Sequence, residues 1–135
     1  MELTDSHAHL SLVEEELGSE ALASILGAYA EAWAEARSGG RPGPLLLDPG
    51  VDPGDLPGRL ALIGAILRGA PPPFLRMGAG AWPSAENLAS PAVSLAALEA
   101  AIDVAVGGGT RVAAVGEGGL DYHHMDGSRE AQAEL

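Results

Sequence analysis

Short apolar runs bounded by Gly and Pro alternate along this chain with longer stretches whose apolar residues recur every three or four positions. That alternation restricts the fold more than any other feature. Leu45-Leu46-Leu47, Phe74-Leu75-Arg76-Met77 and Val112-Ala113-Ala114-Val115 read as buried strands, with Leu3-Thr4-Asp5 a shorter fourth at the start. Leu22, Ile25, Leu26, Tyr29 and Trp33 form one apolar helical stripe that stops near Ser38-Gly39-Gly40. Leu95, Leu98, Ile102 and Val106 repeat the pattern between a Ser90-Pro91 start and a Gly107-Gly108-Gly109 stop. A third helix is expected over Leu56 to Arg68, although Gly58 and Gly64 each cost it about 1 kcal/mol in propensity. A last one begins near Ser128.

The order β, α, β, α, β, α, β implies an α/β fold, a parallel sheet joined by crossover helices. Four units in 135 residues are about 34 residues each, and eight would make roughly the 250 to 270 residues of a (β/α)₈ barrel. The expectation is therefore a single domain over residues 1–135 holding about the first four units of a TIM-like barrel. Such an arc leaves strand edges and barrel-interior residues uncovered, so self-association or a complementary C-terminal half is expected as a partner. Arg129 to Leu135 reads as the opening turns of an unfinished helix, which suggests a truncated sequence.

Composition narrows the functions. Aliphatic Ala, Leu and Val dominate a 47% hydrophobic content, enough for a packed core. The net charge is −12 and every basic residue is Arg, so no basic groove exists to neutralise a nucleic-acid backbone unaided. Bound divalent cations would supply that charge locally. The absence of Cys excludes disulfides, thiolate ligands and Cys nucleophiles. No apolar run is long enough to cross a bilayer and the start lacks the features of a secretory signal, so no membrane role and a cytoplasmic location are expected.

Two segments carry chemistry. In Asp5-Ser6-His7-Ala8-His9, directly after the first strand, an extended chain puts Asp5, His7 and His9 on one face, and both imidazoles reach one metal if that face looks into the barrel mouth. The competing reading is a pair of surface histidines; an Asp that orients a ring favours metal. Glu117, in Val115-Gly116-Glu117-Gly118-Gly119-Leu120-Asp121-Tyr122-His123, falls where the fourth strand ends, on the rim where barrel enzymes keep their catalytic residues. A carboxylate there can bridge two cations; alternatively it is an ordinary turn residue in a Gly-rich loop.

Together, D-S-H-A-H-L near the start and V-G-E-G-G-L-D-Y-H more than 100 residues later resemble the TatD family of metal-dependent hydrolases and deoxyribonucleases. The resemblance spans the chain as far as Arg129-Glu130-Ala131-Gln132. It implies that His7 and His9 bind one metal and that Glu117, the catalytic carboxylate, bridges to a second. It further implies that Asp121 buttresses the loop and that His123 approaches substrate. The implied chemistry is hydrolysis of a DNA phosphodiester with two divalent ions, Zn, Mn or Mg. Gly80-Ala81-Trp82-Pro83 departs from the family's usual G-x-H-P, placing Trp82 where a His is common, and Gly118 replaces an aliphatic residue. The family's later His ligands and final Asp would fall beyond residue 135, so this chain would supply only part of the site.

Other residues carry blander readings. Glu14-Glu15-Glu16 is a solvated charge run, Asp48 and Asp52 make Pro-Gly turns, Trp33 packs within its stripe, and His124 is either a site residue or simply exposed. Two rivals to the nuclease reading stand. One is an amidohydrolase cleaving C–N bonds, which would call for a carboxylated Lys or an equivalent bridging residue midway along a chain that here contains no Lys. The other is a non-catalytic half-barrel acting as a binding or interaction module.

Overall fold

The computed structural model describes residues 4–121, 123, 124 and 127–135. Along the chain come α1 (Leu10–Leu17), α2 (Ser19–Ser38), β1 (Leu46–Asp48), α3 (Leu56–Leu67), β2 (Leu75–Ala79), α4 (Ala85–Ala89), α5 (Pro91–Gly107), β3 (Val112–Val115) and α6 (Arg129–Glu134). The three strands form a parallel sheet in the order β1-β2-β3. The architecture is therefore mixed α/β, with strands separated by helices as the alternation of patterns implies. No helix among the described residues is long and apolar enough to cross a membrane.

By contacts the chain divides into two compact units. One comprises Met1–Asp48 with Gly58–Arg76, the other Pro49–Pro57 with Met77–Leu135, and strand β2 runs through the boundary.

In the first unit, the opening segment adds to β1 as a single parallel bridge, Asp5 to Leu46. Asp5 N–H donates to Leu45 O at 2.9 Å and Leu47 N–H to Asp5 O at 2.8 Å, while Leu46 N–H turns the other way to Phe74 O at 2.8 Å. The opening strand anticipated at Leu3-Thr4-Asp5 is thus one bridge at Asp5, and Leu3 lies outside the described residues. Helices α1 and α2 are separated by Gly18, whose φ of +86° breaks what would otherwise be one helix and which only Gly adopts without strain. Glu14 and its neighbours fall inside α1, where the Glu14 carboxylate accepts the Ser19 hydroxyl at 2.7 Å. Leu22 and Leu26 are fully buried, Tyr29 and Trp33 half-buried, and Ile25 of the expected stripe is exposed. Tyr29 stacks on Phe74 at 6.2 Å. Trp33 packs as expected: a Cβ on Gly43 would meet its ring at 2.4 Å, and Arg37 lies 5.7 Å from its centroid.

In the second unit β2 and β3 pair Met77 with Val112, Gly78 with Ala114 and Ala79 with Val115. Burial along β2 is nearly continuous, as in a strand covered on both faces. Along β3 it alternates, leaving Val115 at 75% exposure. Helix α5 runs from Pro91 to Gly107 as anticipated, but of the expected stripe only Leu98 is buried and Ile102 half-buried. Ser94, Leu98, Ala101 and Ala105 are buried, whereas Leu95 and Val106 are exposed. The small side chains let that face approach its neighbours closely, which a stripe counted by hydrophobicity alone does not show. Short α4 was not foreseen. Its Ser84 cap accepts Asn87 N–H at 3.2 Å, and buried Asn87 in turn donates to Trp82 O at 2.8 Å and accepts from Ser94 Oγ at 3.0 Å.

Candidate functional site

The site residues divide between the two units. In the first, the chain bends at Ser6, so Asp5, His7 and His9 do not continue as a strand. Main-chain bonds hold the segment instead. Ala8 N–H donates to Leu47 O at 2.9 Å, and Asp5 Oδ1 accepts the His7 N–H at 2.9 Å, a bond to the backbone rather than to a ring. His7 is exposed and His9 half-buried, with their rings edge to face at 4.9 Å. This pair follows the segment bonded to β1, beside that strand's carboxyl end. Burial raises the Tyr29 hydroxyl above its usual pKa, and the nearby charge of Asp5 raises it further.

Asp48, the last residue of β1, was read from the sequence as a turn former. It is instead fully buried. Its Oδ1 accepts Leu10 N–H at 3.2 Å and its Oδ2 pairs with Arg59 Nη1 at 3.0 Å, while the same Nη1 donates to Asp48 O at 3.1 Å. Burial pushes the Asp48 carboxyl above the ordinary value, against the pull of Arg59, the Leu10 N–H and His9. Sequence reasoning missed Asp48 because its D-P-G context matches a turn; a polar residue ending an apolar run ahead of a helix bearing an Arg was the available signal. Asp52 is exposed, and the turn beside it is braced by Asp55, whose carboxylate accepts Val51 and Asp52 N–H at 2.9 and 3.2 Å.

In the second unit, Glu117 leaves the carboxyl end of β3 by a different route. Gly116 N–H donates to Ala79 O at 2.7 Å and its carbonyl accepts Gly50 N–H at 2.8 Å. Glu117 N–H then donates to Gly50 O, and Glu117 O accepts Ala81 N–H at 2.9 Å. These contacts demand close backbone approach: a Cβ on Gly80 would lie 2.3 Å from Glu117 N and Gly116 C, and one on Gly50 2.3 Å from Gly80 N. Glu117 is half-buried and its Oε1 is shielded from solvent. The loop borders a 470 Å³ groove whose walls include Ala81, Leu95, Leu98, Val115 and Leu120.

Beyond it, Asp121 is clamped through its backbone. Gln132 donates to Asp121 O at 2.9 Å and accepts Asp121 N–H at 2.8 Å, and Ser128 caps α6 by accepting Ala131 N–H at 3.2 Å. The Asp121 carboxylate accepts the N–H groups of His123 at 2.8 Å and His124 at 3.3 Å, and meets His124 Nδ1 at 2.7 Å. Partial burial raises its pKa, but the His123 N–H, the His124 ring and the His124 N–H together outweigh that and hold it below the ordinary value. The His124 ring lies edge to face with half-buried Trp82 at 5.6 Å and with His123 at 4.8 Å. Tyr122 of the same motif lies outside the described residues. Gln132 had no sequence signal beyond its place in the resembling segment, since its role depends on a fold that returns α6 to the loop.

No protein-family model, curated protein or solved structure matches the chain.

Proposed function

We propose that this chain supplies part of a two-metal hydrolase site of the TatD kind, acting on a phosphodiester of DNA, with His7, His9 and Glu117 as ligands. The finer fold reading that goes with it is an arc of βα units of a TIM-like barrel. The observation that carries the proposal is the His7–His9 pair, its rings 4.9 Å apart, on a segment tied to β1 by main-chain hydrogen bonds. Glu117 likewise follows a parallel strand at its carboxyl end, the end where α/β proteins gather catalytic groups. Two imidazoles and a carboxylate are a donor set that Zn, Mn or Mg accepts, although three ligands are fewer than two ions need. Divalent ions held by these residues would supply the charge that polarises a phosphoryl oxygen and lowers the pKa of a water. The protein's own contribution is to fix the ligands: Asp5 and Leu47 hold the His7–His9 backbone, and Gly50 and Ala81 hold that of Glu117. His123 and Trp82 are the residues offered to a substrate, and Asp121 buttresses the loop that carries His123. The test is calorimetric titration with Zn²⁺ and Mn²⁺, alongside hydrolysis of bis(p-nitrophenyl) phosphate. His7→Ala with His9→Ala should abolish tight binding; stoichiometric metal retained by that variant refutes the ligand assignment.

A second reading is favoured by one observation. Val115 is 75% exposed on β3, whose strand partner among the described residues is β2 alone. A non-catalytic module that pairs with a second copy through that edge would sediment as a discrete dimer, and a monomer contradicts it.

A further inference from the structure

We propose that Asp48 is a positioning residue for His9, accepting from β1 the first N–H of α1, with Arg59 offsetting the charge of its carboxylate. The significance for metal rests on the ligand reading of His9 given above. His9 is the N-cap of α1: its carbonyl accepts the first helical bond, from Val13 N–H at 3.1 Å, but its imidazole makes no capping hydrogen bond. Ser, Thr, Asp or Asn is the usual N-cap, because a short side-chain oxygen can accept one of the helix's exposed N–H groups. Here an oxygen from 38 residues along the chain, Asp48 Oδ1, accepts the N–H of Leu10, the first residue of the helix, whereas an N-cap side chain ordinarily bonds the second or third.

The substitution is consequential because the site is dry. Leu10 is 2% exposed and Asp48 0%, so water cannot replace the bond. Each carboxylate oxygen has a distinct duty, Oδ1 on the helix and Oδ2 on Arg59, which fixes the plane of the group. Ala8 N–H is bonded to Leu47 O. The residues on either side of His9 are therefore tied to consecutive residues at the end of β1, and the direction in which His9 leaves the backbone is set by both. An Asp at position 9 would accept the second or third N–H of α1; a His there keeps an imidazole at that position, and β1 holds the start of the helix through Leu10 N–H.

Two double variants of the full chain separate this role from simple core stability. Asp48→Asn with Arg59→Met keeps an oxygen for Leu10 N–H, whereas Asp48→Leu with Arg59→Met does not. Both dispense with the buried ion pair, a change that packed interiors tolerate. Amide exchange at Leu10 and Zn²⁺ affinity are the readouts. The Asn form should keep Leu10 protected and bind zinc within about threefold of the parent, while the Leu form should lose that protection and bind at least about tenfold more weakly. Equal zinc affinity and equal Leu10 protection in the two forms overturn the proposal. If the Leu form does not fold, Asp48→Ser with Arg59→Met, too short to reach, replaces it with the same expectation. If even the parent takes up no zinc, the metal reading fails; Leu10 exchange then decides the positioning role alone, upheld by protection lost only without the oxygen and overturned by protection that is equal.

Discussion

The segment bearing His7 and His9 and the loop bearing Glu117 are both irregular chain beside a parallel strand, yet they are immobilised by opposite means. The first depends on side-chain chemistry: a buried carboxylate, Asp48, braced by Arg59 and bonded to the start of α1. The second depends on the lack of side chains: Gly50 and Gly80 allow backbones to meet so closely that Glu117 is bonded on both its N–H and its carbonyl. A buried ion pair is costly to break on one side but replaceable as a whole, whereas a glycine contact resists even one added methyl.

Single substitutions expose that difference. Arg59→Met alone should cost about 3–5 kcal/mol in chemical denaturation, because it strands the buried Asp48 charge. A loss under 1 kcal/mol would show that the pair is not structural. Gly80→Ala should cost about 1–3 kcal/mol, since the new Cβ strikes backbone rather than a flexible side chain. An unchanged unfolding midpoint would mean that the loop around Glu117 tolerates widening.

The two regions should also answer acid with opposite signs. Asp48 has a folded-state pKa raised by burial, so its contribution to stability is full below the ordinary carboxylate range and is lost as pH rises through the raised value. Asp121 has a lowered one, so its contribution is present above the ordinary value and is lost as pH falls through the folded value. Unfolding curves of Asp48→Asn and Asp121→Asn across the acid range should therefore deviate from the parent in opposite directions. Deviation in the same direction would contradict one of the two environments. The Asp121 effect is the smallest expected, because the His124 side chain that it meets is 60% exposed and solvent screens it.

Much of the framework was legible in the sequence because it rests on local pattern. The apolar runs at 45–47, 74–77 and 112–115 mark the three strands to within one or two residues, a Gly-Gly stop marks the end of α2, the run 56–68 marks α3, and a Ser-Pro start with a Gly stop marks α5. What was not legible depends on distant partners. Which face of α5 is buried is decided by how closely Ser94, Ala101 and Ala105 permit approach, and periodicity cannot rank small residues against Leu95 or Val106. Asp48 resembled a turn residue because its D-P-G context outweighs the one hint of burial, a polar residue closing an apolar run ahead of a helix that bears Arg59. Of the site, the H-x-H and the Glu after β3 were visible as residue types at strand ends. The Gln132 clamp on Asp121 was not, since it joins residues 11 apart through a loop of no fixed pattern.

Zinc affinity of Glu117→Gln, measured by calorimetry against the wild-type chain, tests the central claim most directly. If Glu117 shares an ion with His7 and His9, exchanging its charged oxygen for an amide should weaken binding by more than the roughly tenfold to hundredfold that changes outside the ligand set cost. Zinc bound by Glu117→Gln as tightly as by the wild type would contradict the account.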